Sequence, residues 1–129
     1  ARLSNVYDWA EDAPGSLSQW LIAARATRDL ALDSSPNIAR DYIHLDDTVD
    51  ALIAIAARGH GVYNVAAGQL ATNADIARVF EAAGWWVRFS GEANPLPPPN
   101  AVVERLSELG VRARPVKDVV AGYLEGLKA

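Results

Sequence analysis

Residues 40–47 read Arg40-Asp41-Tyr42-Ile43-His44-Leu45-Asp46-Asp47, and a change of rhythm at the end of this stretch points to the fold class. Up to Leu45 the stretch suits an extended chain, whose side chains alternate between two faces. Arg40, Tyr42 and His44 then share one face, and Asp41, Ile43 and Leu45 share the other. Beyond it the spacing becomes helical: Val49, Leu52, Ile53 and Ala56 fall on one face, and Gly59 closes the segment. Asp46 or Asp47 is the expected cap of that helix, the pair also complementing its dipole. A strand running straight into a helix is the repeating unit of an α/β fold.

The same alternation extends in both directions. Residues 2–7 read as a strand, followed by a loop through Asp8, Glu11, Asp12, Pro14 and Gly15. Ser16 is the expected cap of a helix with Leu17, Trp20, Leu21 and Ala24 at i, i+3, i+4, i+7. A short apolar stretch at 30–32 ends in the turn-forming Asp33-Ser34-Ser35-Pro36-Asn37. Downstream, 62–67 reads as a strand. Thr72-Asn73-Ala74-Asp75 is a capping box for a helix carrying Ile76, Val79, Phe80 and Ala83. Residues 85–89 form another strand candidate. The prolines at 95, 97, 98 and 99 exclude regular structure from 92–100. Asn100 is placed to cap a short helix with Val103, Leu106 and Leu109, and Pro115 to open a last helix with Val116, Val119, Val120, Tyr123 and Leu127 inward. The order βα(β)βαβαβαα implies some parallel pairing.

Composition narrows the function classes. The 129 residues include no Cys, no Met and two His, with 50% hydrophobic and 22% charged residues and a net charge of −4. These values describe one globular unit without disulfides, thiolate metal sites or a cysteine nucleophile, and they make a His-based metal site improbable. The charge has the wrong sign for nucleic acid or an anionic membrane surface. No apolar run approaches the roughly 18 residues of a membrane span, and no leader pattern is present, so the expected location is cytoplasmic. A chain that opens at Ala1 directly on a strand, with no Met, reads as a piece of something longer.

Phosphate-cradling glycine loops (G-x-G-x-x-G, G-x-x-x-x-G-K-[ST]) and the nucleophile elbow G-x-S-x-G do not occur. The candidate chemistry is one of binding. Arg40 and Tyr42, two apart on one face, suit the grip of a phosphate through a charged fork and a phenol donor. An ordinary surface strand with a solvated Arg gives the same pattern. His44 reads as a structural histidine beside a helix start. Asn5 and Asn64 lie within strands, where a carboxamide is unusual unless it holds a ligand or a loop. Arg88 stands where a strand enters an irregular crossing, a common place for ligand groups; a solvated surface Arg is the alternative. Trp85 and Trp86 point to opposite faces, so at least one is expected to pack under a partner element.

Three stretches together resemble the C-terminal part of the extended short-chain dehydrogenase/reductases, the NAD-dependent nucleotide-sugar epimerases and dehydratases. Arg2-Leu3-Ser4-Asn5-Val6-Tyr7 is similar to the family's R-x-x-N-V-Y-G strand, with Asp8 in place of Gly. Residues 40–47 resemble R-D-Y-I-H-V-x-D, and Gly61-Val62-Tyr63-Asn64-Val65-Ala66-Ala67-Gly68 resembles v-Y-N-v-g-s-G. Leu109-Gly110…Arg114-Pro115 also fits, so the likeness spans essentially the whole chain.

The resemblance implies the C-terminal portion of a Rossmann-type doubly wound α/β fold (its last parallel strands) plus a small substrate-binding lobe. Residues 1–28 and 46–84 would belong to the NAD domain, and 29–45 and 85–129 to the lobe. Asn5, Arg40, Tyr42 and, more loosely, Arg88 would bind a nucleotide-sugar, the two arginines clamping its diphosphate. Leu3, Ser4 and Asn5 would lie near the nicotinamide of NAD or NADP. The family's glycine-rich loop, catalytic Ser/Thr and Y-x-x-x-K pair have no counterpart: four residues after Tyr7, Tyr42, Tyr63 and Tyr123 stand Glu11, Asp46, Ala67 and Leu127. No catalytic residue or metal ligand is therefore expected here, and the chain alone is expected to bind no cofactor and to be inactive. Its expected partners are the nucleotide-sugar, an N-terminal cofactor domain and, for the full-length protein, a second copy. A stand-alone nucleotide-sugar-binding or regulatory module is the alternative. As a fragment the chain is expected to be poorly stable, because 2–7 and 61–67 would lack neighbouring parallel strands.

Overall fold

The computed structural model describes residues 1–128. Seven strands, β1 (Arg2–Leu3), β2 (Asn5–Tyr7), β3 (Asp29–Leu32), β4 (Ala39–His44), β5 (Asn64–Val65), β6 (Leu70–Thr72) and β7 (Trp86–Phe89), alternate with five helices. The helices are α1 (Ser16–Ala23), α2 (Leu45–Arg58), α3 (Asn73–Ala82), α4 (Glu104–Glu108) and α5 (Val116–Lys128). The expected α/β class holds, and three pairings are parallel: β1 with β5, β2 with β4 and β3 with β7.

The expected strand 2–7 is broken at Ser4 because the chain changes partners there. Arg2 and Leu3 pair with Asn64 and Val65, whereas Asn5, Val6 and Tyr7 pair with Tyr42, Ile43 and His44. The 62–67 strand shortens to two residues, and just beyond it the N–H groups of Ala67 and Gly68 turn to the Asp41 carboxylate. One strand was not expected: β6 runs antiparallel to β4, with Ala39 opposite Thr72.

β4 separates two cores. Tyr42 enters the larger one with Leu17, Trp20, Ile76, Phe80 and Val120, while Ile43 joins Ala51, Val65 and Leu106 in the smaller. Trp85 is buried and donates its indole N–H to the carbonyls of Ala24 and Thr27. Trp86, on the opposite face of β7, is 71% exposed.

Several helix ends differ from expectation. The N-cap of α2 is His44, whose side chain accepts the Asp46 N–H, rather than either aspartate. Gly15 (φ +95°), not Ser16, precedes α1, and it offers no side-chain cap. Asn100 does not cap α4; Val103 stands at that position without a capping bond. On α2 the expected apolar face of Val49, Leu52, Ile53 and Ala56 looks outward and is exposed, and Leu45, at the start of the helix, is 40% exposed as well. The helix instead buries Asp47, Thr48, Ala51 and Ala54, small or bonded side chains that allow close approach to the strands.

At α3 the capping box forms as expected, Thr72 and Asp75 exchanging side-chain-to-backbone hydrogen bonds at 3.0 Å. The Thr72 N–H, with further hydrogen bonds, holds the Asp75 carboxyl below the ordinary carboxylate value. Thr72→Ala is expected to cost about 1 kcal/mol, read as a lower urea midpoint. The part contributed by Asp75 is present above its unfolded pKa and lost as pH falls through its lower folded value. Among the described residues no helix is long and apolar enough to cross a membrane.

Candidate functional site

An open cleft of about 370 Å³ lies between β2, β4 and the start of α1. Asn5 and Tyr42 face each other in register across the parallel β2–β4 pair. Arg40, two residues before Tyr42 on β4, reaches the same cleft, as does Tyr7, two residues after Asn5. Three of the four expected substrate residues, Asn5, Arg40 and Tyr42, are thus brought together by strand periodicity and parallel register.

The polar inventory suits an anion. The half-buried Arg40 makes no ion pair with any described residue. Pro14, Gly15 and the first residues of α1 form the rim, and the helix starts there with no side-chain cap, so its first N–H groups are free of one. A helix start of this kind carries partial positive charge. Asn5 is steadied by donating its Nδ2 hydrogen to the Asp41 carbonyl at 3.0 Å. The phenolic oxygens of Tyr7 and Tyr42 are buried without a hydrogen-bond partner, their rings edge-on at 6.2 Å.

Burial, and then the Asp47 carboxylate, raise the Tyr7 pKa well above the ordinary tyrosine value. A raised folded pKa means stability is intact below about pH 10, where unfolded tyrosine ionises, and declines as pH rises further. Tyr7→Phe, which removes an unpaired hydroxyl, is expected to leave neutral stability unchanged or higher. It should also flatten the alkaline decline, which reaches up to about 1.4 kcal/mol per pH unit. Thermal melts from pH 8 to 11 measure both effects.

The other expected residues lie elsewhere. Arg88 is not brought to the cleft: it makes two hydrogen bonds of 3.2 Å to Asp29 across the β3–β7 pair and borders a separate depression. Its neighbour Phe89 packs toward the larger core. Leu3 is 51% exposed, and the Ser4 hydroxyl is buried without a partner at the break between β1 and β2. Asn64 holds a loop, donating to the Val102 carbonyl. Asp47 binds Arg114 through both the backbone and the guanidinium. Among the described residues no three His, Asp or Glu side chains gather where a cation could sit. Tyr7 and the α1 start were not singled out from sequence, although Tyr7 shares the Asn5 face of its strand.

No family model matches the sequence, and no curated protein matches it. Solved structures do. The chain is similar to an NAD-dependent NDP-hexosamine 5,6-dehydratase of tunicamycin biosynthesis (21% identity, TM-score 0.73, covering 99% of this chain and 44% of that one). It is similar to the ADP-L-glycero-D-manno-heptose-6-epimerase of Helicobacter pylori (20%, 0.74, 99% and 43%). A third similar structure was solved with UDP-glucuronic acid and NAD (23%, 0.73, 98% and 46%). The fold is that of the C-terminal part of such enzymes. The chain spans less than half the length of these structures. It contains no G-x-G-x-x-G motif.

Proposed function

We propose that this chain is the substrate-binding C-terminal part of an NAD- or NADP-dependent nucleotide-sugar epimerase or dehydratase. The carrying observation is the unpaired Arg40, set in one cleft with Asn5, Tyr42 and the uncapped start of α1. In this reading Arg40 forks onto the diphosphate, the α1 N–H groups complement the same charge, and Asn5 and Tyr42 orient the sugar. Leu3, Ser4 and Asn5 contribute to the wall facing the nicotinamide, and the hydride chemistry belongs to the cofactor held by the rest of the enzyme.

The outward stripe of Leu45, Val49, Leu52 and Ile53 supports the second half of the reading. We assign it to contact with an N-terminal cofactor domain, since a surface helix normally turns its apolar stripe inward, and four large apolar side chains on an outer face mark a surface that another element covers. Calorimetric titration of the chain with UDP and with uridine tests the site: UDP is expected to bind at least tenfold more tightly. Equal affinities overturn the reading. Immunodetection of the native protein with an antibody to this segment tests the enzyme half. A species much longer than 129 residues supports it, and one of this length favours a stand-alone binding lobe.

A further inference from the structure

The rim of the cleft is fixed from behind by a residue that does not line it. His44 is only 2% exposed, and each of its ring nitrogens has a different task. Nδ1 accepts the Asp46 N–H at 3.1 Å, capping α2, with the Arg114 guanidinium 3.4 Å from the same nitrogen. A nitrogen that accepts carries no hydrogen, which assigns the imidazole hydrogen to Nε2. Nε2 lies 3.1 Å from the Asp8 carboxylate.

Asp8 is where β2 becomes the loop that leads to α1. Its backbone N–H donates to the Ser18 hydroxyl in the first turn of that helix, at 3.1 Å. Trp9 continues the attachment, its ring 4.5 Å from His44 on one side and 4.6 Å from Tyr123 on the other. Arg25, just past α1, donates to both the Trp9 carbonyl and the Tyr123 hydroxyl. The strand that carries Arg40 and Tyr42 therefore also holds, through its last residue, the opposite wall of the cleft.

We infer that His44, acting through Asp8, is a positioning residue that sets the start of α1 against the Arg40 guanidinium. The inference rests on the diphosphate reading above for its binding readout, and on the Asp8–His44–Ser18 geometry alone for its structural one. Helix-start N–H groups act on an anion only within about the first turn, so a loosened Asp8 loop lowers affinity without touching any ligand contact.

The two nitrogens can be separated by substitution. His44→Asn keeps an acceptor near the Nδ1 position and loses the reach to Asp8; His44→Gln keeps a donor near the Nε2 position and loses the cap. Hydrogen exchange of residues 9–18 and UDP titration are then measured on both variants and on Asp8→Ala. His44→Asn and Asp8→Ala are expected to speed exchange in that segment and weaken UDP about tenfold, with the double variant no worse than either alone. His44→Gln is expected to lower the melting midpoint by about 3–6 °C while holding UDP affinity within about threefold. Unchanged exchange in His44→Asn and Asp8→Ala overturns the inference whatever UDP does. So does UDP affinity at the wild-type level in both while exchange rises. Failure of the wild-type chain to bind UDP overturns the diphosphate reading instead, and the exchange data alone then decide the role of His44.

Discussion

Asp41→Ala is expected to lose about 3 kcal/mol of stability, a large share of the roughly 5–15 kcal/mol of an ordinary domain. Asp41 is 7% exposed and spends both carboxylate oxygens on backbone: Oδ1 accepts the Ala67 N–H at 2.9 Å and Oδ2 the Gly68 N–H at 2.8 Å. Each bond is charge-assisted, and the donors belong to partly buried residues that nothing else would satisfy. Gly68 has a φ of +79°, which glycine adopts without strain, and the carboxylate holds the turn between β5 and β6 in that conformation. Asp41→Asn presents one acceptor and one donor, and should recover no more than about half of the loss. Urea unfolding of the three proteins measures the series, and an Asp41→Ala midpoint equal to wild type would remove the carboxylate from any structural role.

Period-two alternation was enough to put Arg40 and Tyr42 on one face, and the structure places both on one cleft. The capping box at Thr72 and Asp75 was equally legible, because all its partners lie within four residues. Whatever depended on distant partners was not. Nothing local says that the chain leaves one strand for another at Ser4, or that His44 rather than Asp46 caps α2. The His44 ring is turned toward its cap by Asp8, 36 residues earlier. The spacing of Val49, Leu52, Ile53 and Ala56 correctly marks a helix with an apolar face. Periodicity cannot say whether that face meets this chain's own strands or something else, and here Ala51 and Ala54 take the inner side. β6 escaped notice because Thr72 serves both as its last residue and as the cap of α3, and the capping signal is the stronger one. For Arg88 the missing information was equally non-local: an aspartate 59 residues away, on the paired strand, takes its guanidinium.

That difference between the two arginines gives the largest expected effect on binding. Arg40→Ala should weaken UDP by about 2–4 kcal/mol, some thirtyfold to a thousandfold, because a half-buried guanidinium free of ion pairs has no other charge to satisfy. Arg40→Lys keeps the charge and loses the planar fork, so it should recover only part of that affinity. Arg88→Ala should change UDP binding less than about threefold: its pair with Asp29 is exposed, of the kind worth about 0–1 kcal/mol, and lies away from the cleft. Titration calorimetry at one fixed ionic strength compares the three variants directly. Wild-type affinity in Arg40→Ala would falsify the phosphate role of Arg40. A loss in Arg88→Ala as large as that in Arg40→Ala would have a different meaning. So weak a surface pair can be exchanged for a diphosphate at little cost, and Arg88 would then leave Asp29 on binding to complete the two-arginine clamp that the sequence resemblance implies. The double substitution separates these cases, since two guanidiniums on one diphosphate give losses that do not add.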